Sequence, residues 1–192
     1  METLKQQRKR AAKPLMWIGV GSIVMGFAGL TSGYVVSRSH QISTEQWVSF
    51  ELPTMFTVST VIILLSSLTL WLAKRAIASG NESGMKALLG MTFALGLGFV
   101  VTQFMGWNAL KEDNIYLTGP SSFTSGSWVY MISIFHILHV LGGIIGLMVT
   151  LTNALIGKYT KEDHNGIGVL SIYWHFVDLL WLYLFLFMSV FR

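Results

Sequence analysis

The stretch Tyr173-Trp174-His175-Phe176-Val177-Asp178-Leu179-Leu180-Trp181 sets a histidine and a carboxylate inside an apolar segment long enough to cross a bilayer. A charge at that depth costs about 2.5 to 3.5 kcal/mol on insertion scales, so an ionisable group there faces protein and needs a partner. The segment predicts a membrane protein in which His175 and Asp178 serve tight assembly or function.

Composition points the same way. Of 192 residues, 53% are hydrophobic and 11% charged, with a mean hydropathy of +0.59; soluble domains carry about 25% charged residues. The absence of cysteine excludes disulfides, thiolate metal sites and thiol catalysis. The net charge of +4 comes from 13 basic and 9 acidic residues gathered between the apolar runs, so no nucleic-acid partner is expected.

Working outward, five segments reach the roughly 20 apolar residues that a span requires: residues 14–36, 52–73, 87–110, 128–156 and 166–191. The first opens on Pro14, suited to a first helical turn. The second closes at Lys74-Arg75, followed by a Gly80-Asn81-Glu82-Ser83-Gly84 turn, and a Ser/Thr/Gly-rich stretch from Ser121 to Ser127 precedes the fourth. Backbone groups in lipid must bond within their own segment, so each span is predicted helical. The expected fold is an all-α bundle of five transmembrane helices forming a single membrane domain over residues 1–192. Ten of the 13 Lys and Arg lie in the N-terminal tail, around Lys74–Lys86 and at Lys158–Lys161, against Arg38, Lys111 and Arg192 on the other side. The positive-inside rule then places the N-terminus in the cytoplasm and the C-terminus in the periplasm. The first apolar run is too long for a secretory signal and is read as a helix.

Small residues recur at helical spacing, as in Gly29-x-x-x-Gly33 and Gly142-x-x-x-Gly146, and predict close helix packing or a docking face. His136 and His139 share one face of the fourth span, and His175 and Asp178 one face of the fifth. Four readings stand open for these groups: a buried network in which a histidine or a tryptophan N–H holds Asp178, proton handling, a metal site, and a haem ligated by His139 and His175. Trp47, Trp71, Trp107, Trp128 and Tyr130 lie near span ends, as interface anchors do. No Ser-His-Asp order, phosphate loop or pair of catalytic carboxylates appears, so no catalytic centre is expected in the chain.

The motifs Ser125-Gly126-Ser127, Phe135-His136-x-Leu138-His139-Val140, Gly142-Gly143 and Tyr173-Trp174-His175-Phe176-Val177-Asp178-x-x-Trp181-Leu182 resemble subunit III of the haem-copper respiratory oxidases, the cytochrome c oxidase and quinol oxidase family. Glu51-Leu52-Pro53, Ser66-Ser67 and Gln103 add weaker matches. The resemblance implies a short five-helix bacterial form in the cytoplasmic membrane. It implies no cofactor or metal in this chain, haem and copper in the partner subunit I, bound structural phospholipid, and support of stability and proton uptake. His136, His139, His175, Asp178, Trp174, Trp181 and Gln103 are the matching buried polar and motif positions. The chain departs from the family at three carboxylates: there is none between Pro14 and Val36, and Gly106 and Gly168 stand where glutamates often occur. These departures weigh against a proton-antenna role. Two other readings compete: a stand-alone haem-binding electron carrier using His139 and His175, and a small transporter with a His175–Asp178 proton relay.

Overall fold

The computed structural model describes residues 4–120 and 122–192, so Ser121 of the Ser/Thr/Gly-rich stretch lies outside the described residues. Five helices account for nearly all of it: α1 Leu4–Ser43, α2 Thr54–Ala78, α3 Glu82–Glu112, α4 Thr124–Leu155 and α5 Asn165–Val190. There is no strand among the described residues. All five are long and apolar enough to cross a membrane. Even α2, the shortest at 25 residues, extends roughly 37 Å against a hydrocarbon core of about 30 Å.

Helix ends differ from the expected spans where local chemistry carries the helix past the apolar run. Pro14 lies inside α1 and not in its first turn, because the preceding Lys, Gln, Arg and Ala residues are good helix formers and continue the helix outward. The turn expected over Gly80–Gly84 contracts to Gly80-Asn81. Gly80 adopts φ +84°, its N–H and that of Asn81 bond Ile77 and Ala76 carbonyls, and the Asn81 side chain caps α3 by accepting from Gly84 N–H at 2.8 Å. This is a Schellman stop running directly into an N-cap. Gly157, at φ +73°, ends α4 in the same way.

α2 and α3 form the most closely packed antiparallel pair, α5 lies against α1, α2 and α4, and α4 lies against α1, α3 and α5. Among the described residues α1 touches only α4 and α5 and does not meet α2. The α2–α3 and α4–α5 turns share the bundle end where α1 begins, here termed the turn end. The opposite end carries the longer connections and is tied together by hydrogen bonds from Tyr34 Oη to Phe191 O at 2.9 Å and from Gln41 Nε2 to Thr124 Oγ1 at 2.6 Å.

Candidate functional site

The polar residues of the core form a ladder centred on α2. Ser59 and Thr60 each donate their hydroxyl proton to the Phe56 carbonyl of their own helix, at 2.8 and 2.7 Å. A hydroxyl so committed has only lone pairs left to offer, and it becomes an acceptor for a neighbouring helix. Gln103 Nε2 of α3 donates to Ser59 Oγ at 2.8 Å, and Trp181 Nε1 of α5 donates to Thr60 Oγ1 at 3.0 Å. One rung nearer the turn end, Ser66 gives its proton to Thr92 O and accepts from Trp174 Nε1 at 3.0 Å. Ser133 does the same on α4, bonding carbonyls of its own helix and accepting from Trp107 Nε1 at 3.0 Å. Interhelical hydrogen bonds of this kind contribute about 0.6 kcal/mol each in membrane proteins. Their larger effect is to fix register.

Trp174 is the residue on which the helices converge. It is fully buried, and its indole lies between Gly143 of α4 and Gly96 of α3. A Cβ built at those glycines would come within 2.8 and 3.0 Å of the ring. With its N–H on Ser66, this one side chain from α5 touches α2, α3 and α4. Absent side chains at two glycines make room for the largest one, as expected where packing and not the hydrophobic effect holds helices together.

Toward the opposite end, Trp181 stacks at 30° on Phe56 and meets Phe99 edge-on. Its ring centroid lies 5.0 Å from that of His136. His136 is fully buried, and neither ring nitrogen has a hydrogen-bond partner; Gln103 Oε1 also lacks one. The pairs Gly143–Trp174 and His136–Trp181 set the antiparallel register of α4 and α5. That register brings His139 level with Asp178, although counting from the two helix ends separates them.

Level is not contact. The His139 ring packs edge-on against Phe27 of α1, with centroids 5.4 Å apart, and its Nδ1–H donates to Phe135 O at 2.7 Å. His175 instead faces α2, where its Nδ1 lies 2.6 Å from Ser67 Oγ. Since α1 and α2 do not meet, the two imidazoles look toward separate sides of the bundle and do not flank a common haem site. Among the described residues no three His, Asp or Glu side chains are grouped to hold a metal.

The expectation that a histidine or a tryptophan N–H holds Asp178 is corrected. Asp178 is 1% exposed, yet neither carboxyl oxygen has a hydrogen-bond partner. The tryptophan N–H groups on either side of it are taken by Ser66 and Thr60, and His175 is bonded to Ser67. Ser67 is the polar group standing beside the carboxyl.

Several rings expected at the membrane interface prove to be internal ties. Tyr130 is buried and donates to the carbonyls of Trp107 and Ile115, both at 3.1 Å, and Trp128 fills the notch at Gly33. Trp47 meets Tyr34 edge-on. Trp71 is the exposed one, with the Arg75 guanidinium 4.7 Å from its ring. At Gly106 a Cβ would lie 3.2 Å from the Phe56 ring, so a side chain there needs that ring to give way, whereas one at Gly168 would meet the Lys13 side chain at 3.6 Å, an ordinary contact.

A cleft of about 1220 Å³ opens at the turn end between α1, α4 and α5. Gly142, Gly146 and Leu170 line its apolar depth, and Lys158, Asn153 and Tyr159 its polar mouth.

Comparison with known proteins completes the site's context. The family described as cytochrome c oxidase subunit III matches residues 38–192. Similar proteins include cytochrome c oxidase subunit 3 of Corynebacterium diphtheriae, 30% identical over 190 residues, covering 94% of this chain and 91% of that protein. Probable cytochrome c oxidase subunit 3 of Mycobacterium tuberculosis is 33% identical over 175 residues, covering 88% and 85%. Cytochrome c oxidase subunit 3 of Synechocystis sp. is 28% identical over 162 residues, covering 83% and 67%.

Proposed function

Because this chain belongs to the cytochrome c oxidase subunit III family, we propose that it is the non-catalytic accessory subunit of a haem-copper terminal oxidase in a bacterial cytoplasmic membrane, packed against catalytic subunit I. Its cofactor-bearing partner holds the haem and copper, while this chain stabilises the complex and supports its proton uptake. The observation that carries this reading is how the core uses its polar groups. Indole and amide N–H groups are spent on serine and threonine hydroxyls that lock α2, α3, α4 and α5 together. The imidazoles of His139 and His175 diverge toward α1 and α2, so the stand-alone haem carrier has nothing to recommend it.

Phospholipid binding is the second part of the proposal. The turn-end cleft has the amphipathic character of a lipid site, with an apolar glycine-floored depth and Lys158, Asn153 and Tyr159 at its mouth. The basic surplus on this side supports a position in the cytoplasmic leaflet. Purifying the complex from membranes in mild detergent tests the whole reading. A haem-copper subunit is expected to co-migrate with this chain, and its absence would refute the assignment. Lipid extracted from that complex is expected to fall when Gly146→Leu fills the cleft.

A further inference from the structure

From the side chains around the buried carboxyl, we infer that His175, Ser67 and Asp178 form a proton relay that delivers a proton from the α2–α5 face of the bundle to an internal acid. The argument starts with Ser67. Each of the other protein-facing hydroxyls of α2 gives its proton to a backbone carbonyl: Ser59 and Thr60 to Phe56, Ser66 to Thr92 and Thr69 to Ser66. Ser67 has no carbonyl partner; its hydroxyl lies 2.6 Å from His175 Nδ1. That hydroxyl also stands beside the carboxyl, which it does not hydrogen-bond in this geometry; with no carbonyl to hold it, its proton can turn from the imidazole to the acid.

The two orientations correspond to two protonation patterns. When His175 is neutral with its proton on Nε2, Nδ1 accepts from Ser67, and Asp178 keeps its own proton and needs no donor. When Nδ1 carries a proton, it donates to Ser67 Oγ, which turns its O–H to the carboxylate and compensates the charge that burial makes costly. Transfer between them balances within the triplet. A proton arriving at Nε2 is matched by cleavage of Nδ1–H and formation of a new O–H on Ser67, as the original O–H proton passes to an Asp178 oxygen. His175 is half-buried at the α2–α5 face, whereas Asp178 is closed off. Lys74 of α2 lies within electrostatic reach of His175, and α4 brings His139 and His136 to the level of Asp178.

The relay deepens the proton-uptake part of the function proposed above, but its test is separate from co-migration with subunit I. The full chain is labelled with carboxyl-13C aspartate, reconstituted in liposomes and followed by infrared spectroscopy after transfer to D2O. Asp113 and Asp163 are exposed, so a protonated carboxyl band reports Asp178. That band is expected to be present, to exchange deuterium readily, and to exchange at least tenfold more slowly in Ser67→Ala and His175→Phe. Ser67→Thr, which keeps the hydroxyl, is expected to retain fast exchange and guards against a simple folding defect. Absence of the band, or equal exchange rates in wild type and Ser67→Ala, would overturn the relay.

Discussion

α1 and the α2–α5 group are both built of apolar helices, yet they are held by different means. In its most apolar window α1 is only 17% buried, against 44% for α4 and α5. Five glycines mark α1 between Gly19 and Gly33, and only Gly33 has another residue against it, the Trp128 ring, while Gly19, Gly21, Gly26 and Gly29 face open space. The glycines at 96, 106 and 143 are each filled by an aromatic ring. The family match also begins at Arg38, at the far end of α1. A small residue in a membrane helix is informative only when its neighbour is known. The polar ladder and its glycine notches define a four-helix unit, and α1 attaches to that unit through Phe27, Tyr34 and contacts at one end.

The sharpest way to break this contrast is to truncate one tryptophan from each region. Trp174→Ala is expected to destabilise the chain by about 3 kcal/mol or more, since it opens a core cavity and frees Ser66, whereas Trp17→Ala, at a site 61% exposed, is expected to stay within about 0.5 kcal/mol. Unfolding in mixed micelles, followed by circular dichroism, measures both; equal losses would dissolve the distinction. Glycine substitutions should then move in opposite directions. Gly143→Ala drives a methyl to within 2.8 Å of Trp174 and is expected to cost about 1 to 3 kcal/mol. Gly29→Ala meets nothing within 4 Å and is expected to gain about 0.5 to 1 kcal/mol from helix propensity.

Smaller effects sharpen the account of the ladder itself. Trp181→Phe keeps a ring against Phe56 and Phe99 but removes the donor to Thr60, for an expected loss of about 1 kcal/mol in the same titration. Thr60→Val in that background should add little, because the two changes remove the same bond. One more effect lies outside both regions. Glu45 holds φ +56° just past α1, so Glu45→Gly is expected to raise the melting midpoint slightly by relieving about 1 kcal/mol of left-handed strain.

The five spans were legible because membrane thickness imposes a length that apolar runs display directly. The ends were less so: residues before Pro14 are polar yet helical, and a hydropathy reading stops where helix propensity continues. At the core, the stretch from Tyr173 to Trp181 announced that His175 and Asp178 needed protein around them, but not which atoms would supply it. Ser59 and Thr60 are illegible as partners, since a hydroxyl in a membrane helix satisfies itself on its own carbonyl and leaves no pattern, and nothing in the sequence marks the pairing of Ser67 with a histidine on a distant helix. Tyr130, Trp107 and Trp128 read as interface anchors by distance from span ends. Whether such a ring turns outward or fills a notch at Gly33 or Ser133 depends on the register between helices that are distant in sequence.

The central position of Trp174 also bears on biogenesis. Helices leave the ribosome in order, so α2, α3 and α4 enter the membrane before the side chain that joins them exists. Until α5 follows, the notches at Gly96 and Gly143 stand empty, and Thr60 and Ser66 have no indole to receive. α5, made after the three helices it joins, is thus the segment that closes the unit, so a chain stalled before it would keep the α2–α3 pair and the weaker α3–α4 and α1–α4 contacts with the notches unfilled, open to quality-control proteases.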